Sequence, residues 1–232
     1  MSKQTDLINI PDAITVSGSN VGIGVSPSDK LHVGGSAAFI RVDRSDGEAG
    51  ITLMYNGSNS TRSNIATQTN GDLAIETANT ERMRIDATGA VTMPHQPAFL
   101  VTPSGSQSNI TVGNEVTVVF GTEIFDQNAD FASNQFTAPV TGRYQLNLTL
   151  YINAIDSASD YYHIKIWTSN RIYSSVIDPG VLASDPVYWN IPIAVLADMD
   201  LGDIAKVTIK QNNGTAQTDI INETTFSGHL VA

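Results

Sequence analysis

The sequence predicts an all-β protein whose first part contains short strands and whose second part forms a β-sandwich. Three observations lead to this prediction. Glycine, asparagine, serine and threonine divide the apolar residues into short runs, and charged residues make up only 15% of the chain. Turn dipeptides such as Asn70-Gly71 and Thr88-Gly89 recur between these runs. Longer segments of the second part alternate between apolar and polar residues, and no apolar repeat of helical period is sustained.

The first part, residues 1–95, contains apolar runs of only three to five residues. Strands this short, broken by polar turns, do not bury a core within one chain. We therefore expect three copies to wind together into a short β shaft, with each strand facing an apolar axis shared by the copies. The runs are Ala13–Val16, Val21–Val25, Leu31–Val33, Phe39–Val42, Ile51–Met54, Leu73–Ile75 and Met83–Ile85.

The second part, residues 97–232, contains longer strands with clear alternation. From Tyr144 to Ile152 every second residue is apolar, as in a strand with one face buried. Eight such strands joined by turn-rich links are what a jelly-roll sandwich requires. The predicted strands are Ala98–Val101, Glu115–Phe120, Arg143–Ile152, Tyr161–Trp167, Arg171–Ile177, Val187–Val195, Ile204–Lys210 and Thr225–Val231.

A motif at the start of the longest strand points to a family. The segment Phe136-Thr-Ala-Pro-Val-Thr-Gly-Arg-Tyr144 resembles the signature of the C1q domain, and Thr225-Phe-Ser-Gly228 resembles the last strand of that family. C1q domains are trimeric jelly rolls that also occur at the ends of bacteriophage fibres. The resemblance implies that Phe136 and Tyr144 are buried and that Gly142 occupies a turn conformation poorly open to other residues, since glycine tolerates positive φ. The residues that carry it are Phe136, Pro139, Gly142, Tyr144, Phe226 and Gly228.

Two phrases of the first part, Asn20–Val33 and Asn79–Gly89, resemble shaft segments of phage tail fibres. With the C1q-like head, they make the whole chain resemble a bacteriophage fibre protein. This implies a virion-attachment segment at residues 1–19, a trimeric β shaft at 20–95 and a C1q-like jelly-roll head at 97–232. It also implies a homotrimer located on the virion, on the tail or another external appendage. Synthesis in the host cytoplasm agrees with an N-terminus that lacks a secretory signal.

Composition excludes several kinds of site and partner. The chain has a net charge of −11 and a pI near 4.5, which disfavours binding to nucleic acid or to anionic membranes. It contains no cysteine, so disulfides and zinc–thiolate sites are absent. No segment approaches the roughly 18 apolar residues of a membrane-spanning helix, so we expect no membrane insertion.

The direction of the strands predicts where the head contacts its target. If strand Ala98–Val101 runs away from the shaft, four long polar links lie together at the far end of the head, as functional loops often do. They are Pro103–Asn114, Asn153–Asp160, Asp178–Pro186 and Asn212–Thr224. Carboxylates and tyrosines suit sugar hydroxyls and sugar faces, or a bridging cation; alternatively, these acids only keep the links soluble. The candidate receptor-binding residues are Asp156, Asp160, Tyr161, Tyr162, Asp178, Asp185 and Asp219.

No motif of a known catalytic class is present, and we expect no enzymatic activity. The chain has no P-loop, no G-x-S-x-G and no H-E-x-x-H. His95 lies beside Pro94 at the junction of the two parts, where three copies could bring three imidazoles to one metal on the trimer axis. A surface imidazole is the alternative. No cofactor is predicted, apart from calcium at the far end of the head, which the resemblance to C1q-like trimers suggests.

These observations predict a trimeric phage tail fibre protein whose head binds the host cell surface for adsorption. The expected partners are a virion docking protein at the N-terminus and a glycan or protein of the host surface. The alternative is a structural protein, either a capsid decoration or a neck fibre, without a receptor role. The site of attachment to the virion separates the two.

Overall fold

A computed structural model describes residues 14–17, 20–23, 31–33, 49–54 and 62–232. In these ranges all regular structure is β-strand except one short 3-10 helix at Pro179–Val181. The described ranges contain no helix with the length and apolar character needed to cross a bilayer. The chain divides into two compact units, residues 1–92 and 93–232. The all-β fold class predicted from the sequence is confirmed.

Eight strands occupy the described part of residues 1–92: β1 (Ile14–Ser17), β2 (Asn20–Ile23), β3 (Leu31–Val33), β4 (Ala49–Met54), β5 (Arg62–Thr67), β6 (Leu73–Thr77), β7 (Thr80–Ile85) and β8 (Val91–Thr92). The first three form a small sheet in which β2 pairs antiparallel with β1 and parallel with β3. The other five form an antiparallel meander in chain order. Every predicted apolar run except Phe39–Val42 overlaps one of these strands. That run, and most of the predicted attachment segment 1–19, lie outside the described residues.

One face of the β4–β8 sheet is apolar and open to solvent. The strand register aligns Ile51, Ile65, Ile75 and Met83 in a row across four strands. Ile51 and Ile65 are 57% and 50% exposed, and the other two are half-buried. Among the side chains described in residues 1–92, the only buried apolar ones belong to two alanines. The described part of this unit therefore has almost no apolar core of its own.

Residues 93–232 form the head, which contains twelve strands: β9 (Ala98–Thr102), β10 (Glu115–Thr117), β11 (Thr122–Asp126), β12 (Phe131–Ala132), β13 (Gln135–Thr137), β14 (Gly142–Asn153), β15 (Tyr161–Thr168), β16 (Ile172–Ile177), β17 (Tyr188–Met199), β18 (Ile204–Asn212), β19 (Asp219–Ile220) and β20 (Thr225–Leu230). They make two antiparallel sheets. One has the order β12-β13-β18-β15-β16, with β10 beside β18. The other has the order β11-β9-β20-β14-β17, with β19 beside β14. This strand order is that of a jelly roll, so the predicted sandwich is confirmed.

All eight strands predicted for the head are present, and four short ones were missed. The missed strands β11, β12, β13 and β19 have two to five residues, too few for an alternating pattern to stand out. The segment predicted as Glu115–Phe120 forms a strand only to Thr117. It pairs with β18, and the chain then passes to the opposite sheet, where β11 pairs with β9.

The core of the head lies between the two sheets and contains a cluster of aromatic rings. The ring of Phe136 stacks on Phe99 with 4.8 Å between centroids, and Phe226 meets Phe99 edge-on at 5.2 Å. Phe136 and Tyr144 are 1% and 0% exposed, which confirms their predicted burial. The Tyr144 hydroxyl donates to the carbonyl of Val140 at 2.8 Å, so this buried polar group is satisfied.

The glycines of the motif allow close packing. The turn conformation predicted for Gly142 is wrong, because this residue begins β14 and is not among those in the left-handed region, but the position is closed to other residues as predicted. A Cβ at Gly142 would lie 2.6 Å from the carbonyl oxygen of Ala232. A Cβ at Gly228 would lie 2.7 Å from the ring of Phe99. Both positions therefore need glycine because another group comes close, while Pro139 is half-buried at the turn before β14.

Candidate functional site

Four links of the head meet at one end of the sandwich, opposite the end where β9 begins. Val101 lies opposite Phe226, so the link after β9 is beside the link before β20. Asn153 lies opposite Tyr188, which places the end of β14 beside the start of β17. The pairing of β15 with β18 and β16 brings the remaining link ends to the same edge. We call residues 103–114, 154–160, 178–187 and 213–224 the apical links.

Hydrogen bonds join the first apical link to the last. The backbones of Gln107 and Ile220 exchange two hydrogen bonds of 2.8 and 3.0 Å. The backbone N–H of Asn109 donates to the Asp219 carboxylate at 2.6 Å. Asp219 is half-buried in this contact, so its carboxylate both holds the first link and lines the apical surface.

Carboxylates also join the other links. The Oδ1 atom of Asp185 accepts hydrogen bonds from the backbone N–H of Ser157 at 2.8 Å and from its hydroxyl at 2.5 Å. These bonds lower the pKa of Asp185. Asp160 accepts from the side-chain amides of Asn212 and Asn213 at 2.9 and 2.5 Å. Both carboxylates remain exposed, so each still has an oxygen surface that faces solvent.

A buried carboxylate organises the centre of the apical links. Asp156 is 1% exposed and lies in link 154–160. Its Oδ1 accepts from the N–H of Ala158 at 2.9 Å, and its Oδ2 accepts from the N–H groups of Thr215 and Ala216, the latter at 2.7 Å. Gly214 has φ near +115°, and a side chain there would collide with the Asp156 carboxylate. Link 213–224 is therefore folded around Asp156.

The charge of Asp156 is favoured despite its burial. Burial alone raises the pKa of a carboxyl group, because it penalises the charged form. The hydrogen bonds from Ala216, Ala158 and Thr215 outweigh that effect and lower the pKa of Asp156 below its ordinary value of 3.8. The group is consequently ionised at neutral pH, and its charge is held by backbone donors.

Polar side chains next to Asp156 continue the buried network. The Tyr162 hydroxyl accepts from the N–H of Asp156 at 2.9 Å and lies 2.6 Å from the Thr218 hydroxyl. The Gln211 side chain donates to Ser159 at 3.0 Å and accepts from the N–H of Thr218 at 3.1 Å. All five residues are at most 2% exposed. These hydrogen bonds join links 154–160 and 213–224 to strands β15 and β18.

The candidate residues named from the sequence fall into two groups. Asp160, Asp178 and Asp185 are exposed on the apical links, Asp219 is half-buried there, and Tyr161 is half-buried at the adjoining start of β15. The prediction that Asp156 and Tyr162 contact a receptor is wrong, because both are 1% exposed and engaged in the buried network. Neither can touch a partner directly while the links keep this conformation. Both side chains instead make hydrogen bonds to the backbone or side chains of the apical links.

Sequence reasoning overlooked apolar side chains on link 178–187 and its flank. Val181, Val187 and Tyr188 are 79%, 67% and 63% exposed. They lie close in sequence to Asp178, whose carboxylate caps the short 3-10 helix by accepting from the N–H of Gly180 at 2.9 Å. The run Pro-Val-Tyr-Trp, apolar without alternation, is the one sequence signal of this exposed patch.

The described residues contain no group of three or more potential metal ligands of one chain. His95 is exposed, and its backbone carbonyl accepts from the side-chain amide of Asn128 at 3.2 Å. The axial metal site predicted at His95 and the calcium predicted at the apical end would both draw ligands from several copies. Both stay predictions.

Comparison with known proteins shows similarity in fold. No protein-family profile matches the chain. No curated protein matches it in sequence. Among solved structures, the globular domain of zebrafish complement 1qA is 18% identical, with a TM-score of 0.44, and the match covers 60% of this chain and 98% of that domain.

Murine APRIL is also similar in structure. Its crystal structure at pH 8.0 is 12% identical, with a TM-score of 0.43, and the match covers 59% of this chain and 99% of APRIL. The structure at pH 5.0 is 13% identical with a TM-score of 0.42 over the same shares of the two chains.

Proposed function

We propose that this chain is a homotrimeric fibre protein of a bacteriophage and that its head binds the host cell surface. The N-terminal segment attaches to a virion docking protein, residues 20–95 contribute to a shaft shared by three copies, and the head acts by adhesion without catalysis. The shaft phrases and the motif of the head support the assignment to a fibre. The observation that carries the binding role is the apical end, where exposed polar links rest on a buried hydrogen-bond network.

The buried network supports a binding role because it fixes the links before any partner arrives. Ordering a loop on binding costs free energy, and a loop that is already ordered avoids that cost. Here the Asp156 and Gln211 side chains hold two links from below. The exposed surface above them offers carboxylates for hydroxyl groups and apolar side chains for flat faces. The residues proposed for direct contact are Asp160, Tyr161, Asp178, Asp185, Val187, Tyr188 and Asp219.

A trimer makes weak apical contacts sufficient for adhesion. Three identical sites held on one head bind a surface with many receptor copies by intramolecular steps after the first contact. Such linkage raises the overall affinity by about 10²–10⁴-fold without a new contact. The proposal therefore requires the three copies to remain associated. A surface of the N-terminal unit supports that association.

The open apolar face of the β4–β8 sheet supports association with further copies of the same chain. The row Ile51, Ile65, Ile75 and Met83 carries no charge, so identical faces can meet without like-charge repulsion, although the chain has a net charge of −11. The described part of this unit buries few apolar side chains by itself. Burial of this face between copies supplies the missing apolar core.

Light scattering of the wild-type protein at micromolar concentration is expected to show the mass of three chains of 24.7 kDa.

Replacing Ile65 by aspartate is expected to open the shaft. Burial of an isoleucine side chain contributes about 1.5–3 kcal/mol. Limited proteolysis of Ile65→Asp within residues 1–92 should therefore be faster by about tenfold or more, since cleavage follows the open population.

The matched control is Thr69→Asp, which adds the same charge at an exposed position of the turn between β5 and β6. It should be cleaved at the wild-type rate. A monomeric wild-type protein, or an Ile65→Asp variant as resistant as wild type, would contradict the proposed assembly.

Replacing Asp160 by alanine is expected to reduce adsorption to host cells. A hydrogen bond to a charged group contributes about 1.5–3 kcal/mol, and the loss is repeated in each copy, so the drop should be about tenfold or more. The measurement is the binding of fluorescently labelled protein to cells of the host. The control is Asp200→Ala, because Asp200 is exposed at the opposite end of the sandwich. It should bind as wild type.

The structural alternative makes a different prediction for the same experiment. If the protein is a capsid decoration or a neck fibre, neither variant changes binding, and immunogold labelling places the protein on the capsid or neck of the virion. Loss of binding in Asp160→Ala alone supports the receptor-binding role.

A further inference from the structure

The outer face of the sheet containing β15 and β18 carries a concentration of positive charge. Residues 93–232 contain 13 acidic and five basic residues, so the head as a whole is strongly acidic. Nevertheless, three of the five cations, Lys165, Lys206 and Lys210, lie on this one face. Among the outward-facing positions of β10, β15 and β18, the only acidic residue is Glu115. The face therefore has a local charge opposite to that of the molecule.

Glu115 holds the indole of Trp167 in a fixed position on this face. The Trp167 Nε1–H donates to Glu115 at 2.7 Å and to the Thr208 hydroxyl at 3.1 Å. Lys165 donates to the other oxygen of Glu115 at 3.0 Å, and its ammonium group lies 5.3 Å from the centre of the indole ring. The Trp167 ring and Lys165 are thus both held in place by contacts with Glu115 and with each other.

The charge state of the cluster is set by these contacts. Burial by itself would raise the pKa of Glu115, but the hydrogen bonds from Thr208, Trp167 and Lys165 lower it to about 2. Burial lowers the pKa of His163, and the neighbouring Lys165 and Lys210 lower it further. The two lysines therefore add to the effect of burial on this imidazole, while Glu115 acts in the opposite direction.

A groove of about 260 Å³ lies against the indole and is lined by Glu115, Thr117, Trp167, Lys206 and Thr208. Lys206 stands directly opposite Trp167 on the neighbouring strand. Within the described residues, no carboxylate pairs with Lys206 or with Lys210. The groove thus combines a fixed aromatic ring, the exposed hydroxyl of Thr117 and an unpaired ammonium group, while the carboxylate of Glu115 and the hydroxyl of Thr208 are engaged with Trp167.

This combination of groups matches one kind of ligand. An aromatic ring suits the apolar face of a pyranose, the Thr117 hydroxyl suits one of its hydroxyl groups, and an unpaired lysine suits a carboxylate substituent. The volume is below the roughly 300 Å³ of a small-molecule pocket, so it fits a single sugar unit. Nucleic acid fits poorly, because its binding needs many phosphate contacts and the head carries excess negative charge.

We propose that the Trp167–Lys206 groove on the lateral face of the head binds a carboxylate-bearing sugar unit of an acidic polysaccharide. It lies outside the apical links and provides a second contact, additional to the proposed apical one. A long acidic polysaccharide can occupy the grooves of several copies, which strengthens a weak single-site interaction.

The test uses the full chain labelled with 5-fluorotryptophan and observed by ¹⁹F NMR. The protein has two tryptophans, so one resonance reports the groove and the other, from Trp189, serves as internal reference. Trp167→Phe identifies the resonances. Three probes are titrated: trimers of galacturonic acid, the same trimers methyl-esterified, and inorganic polyphosphate. The acid trimers are expected to shift the Trp167 resonance, the esters to bind at least tenfold more weakly, and polyphosphate to leave the ring resonance unmoved.

Two variants separate the groove from general electrostatics. Lys206→Gln should weaken binding of the acid trimers by about tenfold or more, because it removes a charge-assisted hydrogen bond. Arg143→Gln removes a charge of the same sign from an exposed position of the other sheet and should bind as wild type. The proposal is overturned if acid trimers at about 10 mM do not shift the Trp167 resonance, well above a weak Kd of about 1 mM. It is equally overturned if the ester binds as well as the acid, if polyphosphate shifts the ring resonance as the acid trimers do, or if both variants weaken binding equally.

Discussion

Replacing Phe136 by alanine is expected to lower the free energy of unfolding by about 3–5 kcal/mol, as for other large aromatic residues removed from a core. Phe136 is 1% exposed, and its ring contacts Phe99 at 4.8 Å and Tyr144 at 5.3 Å between centroids. Phe136 lies on β13, which pairs with β18, and its ring contacts Tyr144 on β14 of the opposite sheet. Because both sheets are fixed around the ring, the cavity left by its removal cannot collapse easily. Urea unfolding of the full chain, followed by tryptophan fluorescence, measures the change.

Phe125→Ala is the matched control for this result. Phe125 lies on edge strand β11 and is 49% exposed, so truncation removes few buried contacts. Its free energy of unfolding should change by less than about 1 kcal/mol. A change below about 1 kcal/mol for Phe136→Ala would show that this ring does not belong to the core of the folded head.

Asp156→Asn is expected to lower the free energy of unfolding by about 1–3 kcal/mol. The substitution keeps the shape but places an amide group where a carboxylate oxygen accepted hydrogen bonds. Backbone donors of Ala158, Thr215 and Ala216 converge on the two oxygens, and at least one of them is left facing another donor. A buried donor without an acceptor costs about 1–3 kcal/mol.

The pH dependence of stability gives an independent measurement of the same interaction. The pKa of Asp156 is lower in the folded protein than the ordinary value of 3.8. Its stabilising contribution is therefore present above pH 3.8 and is lost as the pH falls below that value through the folded-state pKa. Wild-type stability should fall more steeply than that of Asp156→Asn in this acidic window. Equal slopes would show that the charge of Asp156 does not contribute to folding.

Asp160→Asn is the control for the buried carboxylate, since it makes the same change in the same link. Asp160 is exposed and accepts only from the side chains of Asn212 and Asn213. Its stability should stay within about 0.5 kcal/mol of wild type. The pair therefore distinguishes a carboxylate that supports the links from one that is available to a partner.

The sequence was most informative where the relevant physics is local. Alternation along Arg143–Ile152 follows from the pleat of a single strand, so it identified β14 and its buried face without further information. Turn dipeptides likewise placed Gly71 and Gly89, whose φ values of +90° and +95° are in the left-handed region. The direction of successive strands was enough to group the four links at one end of the head.

The residues whose roles were predicted wrongly make their contacts with parts of the chain that are distant in sequence. Gly142 is required because the backbone of Ala232, 90 residues further along the chain, passes close to it. Asp156 and Tyr162 looked like residues of an exposed acidic link, but their partners are Thr215 and Thr218. A pattern within one segment contains no information about which donors another segment will bring to it.

The chain's own sequence thus determined the β class, the eight longer strands of the head and the family it resembles, because short-range periodicity and turn chemistry are encoded residue by residue. Tertiary structure alone decided which carboxylates are buried supports and which are exposed. It also decided that Trp167 and Lys206 share one groove, since this depends on the register between β15 and β18. Register is set by packing of the two sheets over the common core, and that packing involves the whole head at once.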